Sequence, residues 1–346
     1  KGDKGLLRFM NRPIRVGLVG FGYWGPNLAR NFGASDLYDL VWIADISEKA
    51  RGQAKKFYPH VKTTADYGEI LRDIEVELVA IATPTKTHHK IAKDGLLSGK
   101  HVFVEKPLVS SSPEAEDLVA TAKKAGKVLA VDHPFIYSSS VRRLKHAIDS
   151  GDIGDVFFVD SQRLNLGLVQ SDVNVFWDLA VHDLYITDYL FNGELPLSLT
   201  ADAESYTQEN QHEYGTVTLR YPNKKVVNIT VSWLSPMKTR RTLVVGSKKM
   251  IYYDDTHPDE KLKIVDKGIE YSRESDKALN PIYRWGDAVL PRLENKEPLA
   301  LEIEELYHVI KSGVKTLSSG EDGLRIIKVL EAVNESVKLR REIKLC

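Results

Sequence analysis

Cysteine is almost missing from this chain: among its 346 residues the one thiol is Cys346. No internal disulfide can form, and such usage points to a reducing compartment, here the cytoplasm. Charge of one sign in excess is missing too, with 48 Lys and Arg against 48 Asp and Glu. A nucleic-acid binder leaves a basic footprint, so nucleic acid is set aside as a partner. No apolar run approaches the roughly 18 residues that span a bilayer, and no membrane partner is expected. Lys1 to Phe9 has no signal-like hydrophobic core, and Met10 is expected to be the natural start. His88 and His89 have no third ligand at helical spacing, so no metal is expected. Internal repeats and low-complexity segments are also missing. What is present, 42% hydrophobic and 28% charged residues, suffices for two cores and suits work on a small molecule.

The stretch Ile14-Arg-Val-Gly-Leu-Val-Gly-Phe-Gly-Tyr-Trp-Gly25 is an apolar β-type run that breaks into glycines at Gly20, Gly22 and Gly25. A buried strand turning sharply into a helix needs one residue without Cβ at the turn. A second is needed where a phosphate nears the backbone, and a third where helix meets strand. Pro26 then suits a first helical turn, where its missing amide hydrogen would have no partner. A second strand, Leu40 to Ala44, ends in Asp45, the acid expected about 20 residues on. Asp45 can accept both hydroxyls of an adenosine ribose, and its charge repels a 2′-phosphate. NAD is therefore the expected cofactor.

Further strands are read at Glu77 to Thr83, His101 to Glu105 and Lys127 to Asp132, each separated from the next by a helical segment. This alternation predicts a doubly wound parallel sheet. Thr83-Pro84-Thr85 lies at the strand end where such sheets bind ligands, and His88 follows in a first helical turn. Glu105-Lys106-Pro107 closes the next strand, placing a lysine where the nicotinamide half of the cofactor would lie. The domain boundary is placed at His133-Pro134, giving 10–133 as the NAD-binding domain and 134–346 as the second domain.

After a helix over Tyr137 to Ser150, whose Arg142, Arg143 and Lys145 are read as a solvated face, long segments alternate in period two from Val156 to Val265. They predict an open, mainly antiparallel sheet, and Glu302 to Ser318 and Asp322 to Arg341 close the chain as helices. Between Asp172 and Phe191 a helix is apolar almost all round, yet Asn174, Asp178 and His182 recur every four residues. A buried polar group left unpaired costs about 1 to 3 kcal/mol, so the stripe is expected to face partners or a ligand. His182 suits proton transfer near neutral pH. Ser161, Arg163 and Asn165 alternate on one strand. Should that face open on a cleft, Arg163 can hold a carboxylate or diphosphate. The basic cluster Lys238, Arg240 and Arg241 near a hairpin is either a second such candidate or a set of solvated edge charges that prevent strand-to-strand aggregation.

These features together resemble the family of glucose-fructose oxidoreductase and inositol dehydrogenase, over essentially all of the chain after Met10. They are Gly20-Phe21-Gly22-Tyr23-Trp24-Gly25, Asp45, Thr83-Pro84-Thr85 with His88, Glu105-Lys106-Pro107, and Asp178 four before His182. The resemblance implies a Rossmann domain followed by an α/β domain with a large open sheet, and a homodimer or homotetramer built on that sheet. It implies oxidation or reduction of a sugar or cyclitol hydroxyl. Lys106 and His182 match the family's catalytic pair, and Asp178 its substrate-contacting acid; which of the pair carries the proton stays open. Asp132-His133 departs from the glycine then asparagine or histidine of many members. The segment Ser161 to Asn174 with Trp177-Asp178 is similar to members that tailor nucleotide sugars for surface polysaccharides. The expected substrate is thus a UDP-linked amino sugar, oxidised at its 3-hydroxyl. A free sugar or inositol is the enzymatic alternative, and a catalytically silent NAD-binding sensor the alternative of another class.

Overall fold

The computed structural model describes residues 12–167, 173–209, 211–273 and 279–345. In chain order the first elements are β1 (Ile14–Val19), α1 (Gly25–Ala34), β2 (Tyr38–Ala44), α2 (Glu48–Phe57), β3 (Lys62–Thr64) and α3 (Tyr67–Arg72). They are followed by β4 (Leu78–Ile81), α4 (His88–Leu97), β5 (His101–Glu105), α5 (Ser112–Ala125), β6 (Leu129–Asp132) and α6 (Ser139–Asp149). Next come β7 (Val156–Leu166), α7 (Val181–Leu190), β8 (Ser198–Glu204), β9 (Tyr214–Arg220), β10 (Val226–Ser232) and β11 (Leu234–Gly246). The chain ends with β12 (Met250–Asp254), β13 (Leu262–Arg273), β14 (Leu279–Val289), α8 (Pro298–Ser312), α9 (Gly320–Leu339) and β15 (Ile343–Lys344).

Two compact units result, one holding residues up to Tyr137 together with Lys296–Lys328, the other Ser138–Asn295 and the chain from Val329 on. In the first, six parallel strands run in the order β3-β2-β1-β4-β5-β6. The order reverses between β1 and β4, which opens a crevice at their carboxyl ends. Their continuous burial accounts for the unbroken apolar runs: Ile14, Val16, Leu18, Leu78, Ala80 and Phe103 are all fully buried. Leu299, Ile303, Leu306 and Tyr307 of α8 belong to the same core, and the Tyr38 hydroxyl donates to the Ile303 carbonyl at 2.7 Å. A two-block division at residue 133 therefore omits a segment that returns to the first unit. The returning helix starts at Pro298 and stops at Gly313, whose φ of +71° only glycine adopts freely; the expected span of Glu302 to Ser318 lies too late.

The second unit is a nine-stranded mixed sheet in the order β14-β13-β12-β11-β7-β10-β9-β8-β15, in which β7 and β10 are parallel and the other neighbours antiparallel. Pro222–Lys224, with Asn223 at φ +60°, turns β9 into β10 as the Pro-Asn pair suggests. The strands β3, β14 and β15 are not visible in the period-two pattern. β3 is three residues long, β15 two, and β14 carries Pro281 and Gly286 in its interior. Lys145 is not a solvated charge: it is buried on α6 and bonds Asp149 and, at 2.8 Å, Asn192. Among the described residues no helix is long and apolar enough to cross a membrane, and no group of three or more His, Cys, Asp or Glu is placed to hold a metal.

Candidate active site

In the first unit, the turn after β1 leaves no room for side chains where strand and helix close on it. Gly20 has φ +98°, and a Cβ there would lie 2.5 Å from the Ala82 carbonyl oxygen; a Cβ on Gly25 would lie 2.3 Å from that of Gly20. Gly22 differs, because a Cβ there meets nothing within 4 Å. Its backbone faces open space, as a phosphate approach requires. Phe21 sits at the site by its backbone alone. Its ring is buried in the core while its amide donates to Asp45 Oδ2 at 2.7 Å. Asp45 Oδ1 accepts from the Ser47 amide at 2.7 Å, so the carboxylate is fixed at the end of β2 with lone pairs to spare. Arg51 Nη1 donates to the Asp45 carbonyl at 2.8 Å and places a cation beside it. Tyr23 is 87% exposed, whereas the Trp24 indole donates to Asp132 Oδ2 at 2.5 Å.

A cleft of about 660 Å³ opens at the strand ends, lined among others by Gly22, Asp45, Ile46, Tyr67, Pro84 and Lys90. Ile46 is 92% exposed, an apolar side chain held in water beside Asp45, where it offers a flat base a surface to lie on. Open backbone at a helix N-terminus, a fixed carboxylate and an apolar lip form a donor set that fits a dinucleotide. Ile46, Arg51 and Lys90 were not singled out from the sequence; an apolar residue just past a strand-ending acid was the available signal.

Thr83, Pro84 and Thr85 lie at the end of β4, where the Thr87 hydroxyl donates to Thr83 Oγ1 at 2.7 Å. His88 is buried. Its Nε2 faces the Thr83 carbonyl at 2.7 Å and its Nδ1 the Pro107 carbonyl at 3.0 Å. Expected as a cofactor contact, it is instead a brace between the β4 and β5 ends, because both ring nitrogens are turned to backbone. Lys106, half-buried, follows β5; its amide donates to Glu105 Oε2 at 2.6 Å, and Glu105 pairs in register with Asp132. The positive charge of Lys106 pulls the Asp132 carboxyl towards ionisation.

In the second unit, the polar stripe is not a uniform α-helical face. Asn174 caps the segment, its Oδ1 accepting from the Phe176 and Trp177 amides at 3.1 and 3.2 Å. Phe176–Ala180 is a π turn, a feature common at functional sites, and α7 begins only at Val181. Asp178 stands in the wide turn and His182 one residue into α7, both half-buried. Trp233, fully buried after β10, donates from Nε1 to Asp178 Oδ2 at 2.9 Å and so fixes the carboxylate. Sequence reading missed Trp233, whose signal was an indole just past a period-two strand. Asn165 lies close by, its Nδ2 2.8 Å from the point a Gly167 Cβ would occupy, with Trp233 Cδ1 2.9 Å from that same point. The loop from Gly167 to Asp172 lies outside the described residues but for Gly167.

Arg163 is a correction. It is 4% exposed, with Nε 2.7 Å from Asp183 Oδ2, and Asp183 Oδ1 also accepts from Ser161 Oγ at 2.7 Å. The strand face carrying Ser161 and Arg163 packs under α7 and does not open on a cleft, so this guanidinium does not serve a substrate anion. A buried charge is held only when paired, and Asp183 is that pair.

Comparison with known proteins places these features. Residues 14–133 match the model described as oxidoreductase family, NAD-binding Rossmann fold, and residues 141–252 match the GFO/IDH/MocA C-terminal domain. The chain belongs to the Gfo/Idh/MocA oxidoreductase family. It is an NAD-binding oxidoreductase, and the first match covers β1 to β6 with the cleft at their ends. The myo-inositol 2-dehydrogenase of Thermotoga maritima is 25% identical over 96% of this chain and 98% of its own length. GenD2 from gentamicin A biosynthesis, solved in complex with NAD, superposes with a TM-score of 0.82 at 22% identity over 97% of both chains. The UDP-N-acetylglucosamine 3-dehydrogenase of Acidithiobacillus ferrooxidans superposes with a TM-score of 0.80 at 23% identity, over 95% of this chain and 99% of that one.

In this Gfo/Idh/MocA member, if Asp45 faces the ribose as expected, Asp45→Ser should raise affinity for NADPH relative to NADH by about tenfold or more, since it removes a charge that would repel a 2′-phosphate while Arg51 stays. Titration of each cofactor against wild type and variant measures the ratio, and an unchanged ratio would remove Asp45 from the ribose site.

Proposed function

We propose that the protein transfers hydride between NAD(H) and a secondary hydroxyl of a sugar, foremost the 3-hydroxyl of a UDP-linked amino sugar. The observation that carries the reading is the π turn of the second unit, where Trp233 pins the Asp178 carboxylate at 2.9 Å just ahead of a half-buried His182. A sensor has no use for a carboxylate fixed in this way one turn ahead of an imidazole. The bound nicotinamide accepts or supplies the hydride. His182 takes the hydroxyl proton, since hydride departs only as that proton is withdrawn. Lys106, as a cation at the β5 end, holds the hydroxyl oxygen against the charge that develops on it. Asp178 orients the imidazole or an adjacent hydroxyl. With Arg163 committed to Asp183 and Arg240 to Asp255, the reading gives the diphosphate of a nucleotide sugar to the exposed Lys238 and Arg241 of β11.

What the similar proteins are named for supports the substrate class: one acts on an inositol ring, another on UDP-N-acetylglucosamine at C3. The reading also includes a homodimer or homotetramer built on the open sheet. Ile269, Tyr283 and Trp285 sit on one face of the β13–β14 pair, and all are more than half exposed. A cluster of this size in water marks an interface.

NAD+ supplied with UDP-N-acetylglucosamine, other UDP-amino sugars, free sugars and inositols should yield NADH absorbance with the UDP-linked set first. Lys106→Ala and His182→Ala should each lower turnover about 100-fold or more while leaving NADH affinity within about threefold of wild type. NADH binding without turnover on any polyol would favour the sensor, and equal losses of turnover and affinity would remove both residues from proton transfer. Light scattering should find a dimer or tetramer that Trp285→Glu shifts to smaller species; a wild-type monomer would refute the sheet interface.

A further inference from the structure

The cofactor reading leaves Asp132 without a role. This acid ends β6 and is wholly buried. Against it lies Glu302 of α8, equally buried and in hydrogen-bond contact with it. Asp132 Oδ2 accepts from the Trp24 indole at 2.5 Å, and Glu302 Oε1 accepts from the His133 amide at 2.6 Å. The other two oxygens, Asp132 Oδ1 and Glu302 Oε2, are buried and meet no donor among the described residues. One proton between the two carboxyls supplies that donor and satisfies both.

Two carboxyls in contact cannot both ionise in a dry space. Burial, then the Asp132 charge, holds Glu302 well above the usual carboxylate range. Burial raises Asp132 to about 6, opposed by the Trp24 indole, the Glu302 bond and the Lys106 charge. The proton therefore belongs on Glu302 and the charge on Asp132, next to Trp24 and within reach of Lys106. Glu105 repels Glu302 from β5, and in the segment after β6 burial and then Glu302 push the Tyr137 hydroxyl up, so that it stays a neutral neighbour. Glu305, one turn along α8, accepts from that tyrosine at 3.1 Å.

We propose that the Asp132–Glu302 pair is a positioning element for the NAD site: Asp132 holds the Trp24 indole, and with it the end of the glycine turn, while Glu302 holds Asp132. The pair acts through Trp24 and Lys106, touching neither cofactor nor substrate. Its hold has a definite pH sign. Glu302, held above the usual carboxylate range, gives up its proton only as pH rises, and the bare charge it then sets beside Asp132 pushes the two carboxyls apart, so the grip on Trp24 weakens with rising pH. Glu302→Gln replaces the removable proton by a permanent N–H towards Asp132 Oδ1 and still accepts from His133.

NADH affinity, followed by calorimetry from about pH 6 to about pH 10 with a melting curve at each point, tests this. Wild type should weaken by about tenfold or more towards the alkaline end, and Glu302→Gln should stay nearly flat. Trp24→Phe, which loses the indole donor, should bind NADH about tenfold more weakly at neutral pH and keeps the test open should the Gln variant not fold. A Glu302→Gln profile that tracks wild type, a flat wild-type profile, or wild-type affinity in Trp24→Phe would overturn the proposal. The readout is cofactor binding alone, so its failure is distinct from failure of the sugar reading.

Discussion

The structure depends on a turn too tight for side chains. Between β1 and α1 the chain must clear the Ala82 carbonyl on one side and its own Gly20 carbonyl on the other, with 2.5 and 2.3 Å where a Cβ would stand. That squeeze aims the first amides of α1 at the crevice, and the bond from the Phe21 amide to Asp45 ties the turn to the end of β2. Helix N-terminus, carboxylate and crevice are thus one arrangement, set by backbone clearance at the point where strand order reverses.

Buried charge is handled in two ways. The second unit pairs Arg163 with Asp183 under α7, opposite charges in contact, and Ser161 and Thr242 add hydroxyls around them. In the first unit Asp132 faces another acid, and in the arrangement proposed a single proton on Glu302 leaves one charge, on Asp132, beside the Trp24 indole. In the proposed arrangement the acid pair responds to pH, because it rests on keeping a proton that rising pH removes. The pH-sensitive arrangement is the one that touches the glycine turn.

Much of the first unit was legible because β1, β4, β5 and β6 are largely buried and read as apolar runs, with Gly20, Pro84 and Pro107 marking the turns after the first three. The second unit's mixed sheet was legible from β7 to β13 because its strands alternate. What stayed hidden has physical causes. β14 contains Pro281 and Gly286 and takes its pairing from β13, so no local pattern marks it. The return of α8 to the first core is a tertiary fact, carried by Leu299, Ile303 and Leu306 against Phe32 and Leu40, which no periodicity encodes. At the candidate site the spacing rules found the residue types but not their orientation. Arg163 turned inward because Asp183, twenty residues on, points at the same space. His88 turned to two carbonyls, and a four-residue stripe became a cap, a π turn and a helix start, since a single widened turn breaks the α-helical phase.

The most direct test of the account is NADH binding to Gly22→Val. A Cβ at Gly22 meets nothing within 4 Å, so the fold has room for the larger side chain and thermal stability should be unchanged. The added methyls would instead occupy the space into which a pyrophosphate must come. The account predicts wild-type melting with NADH affinity lowered by about 100-fold or more; wild-type affinity in a variant of wild-type stability would contradict it.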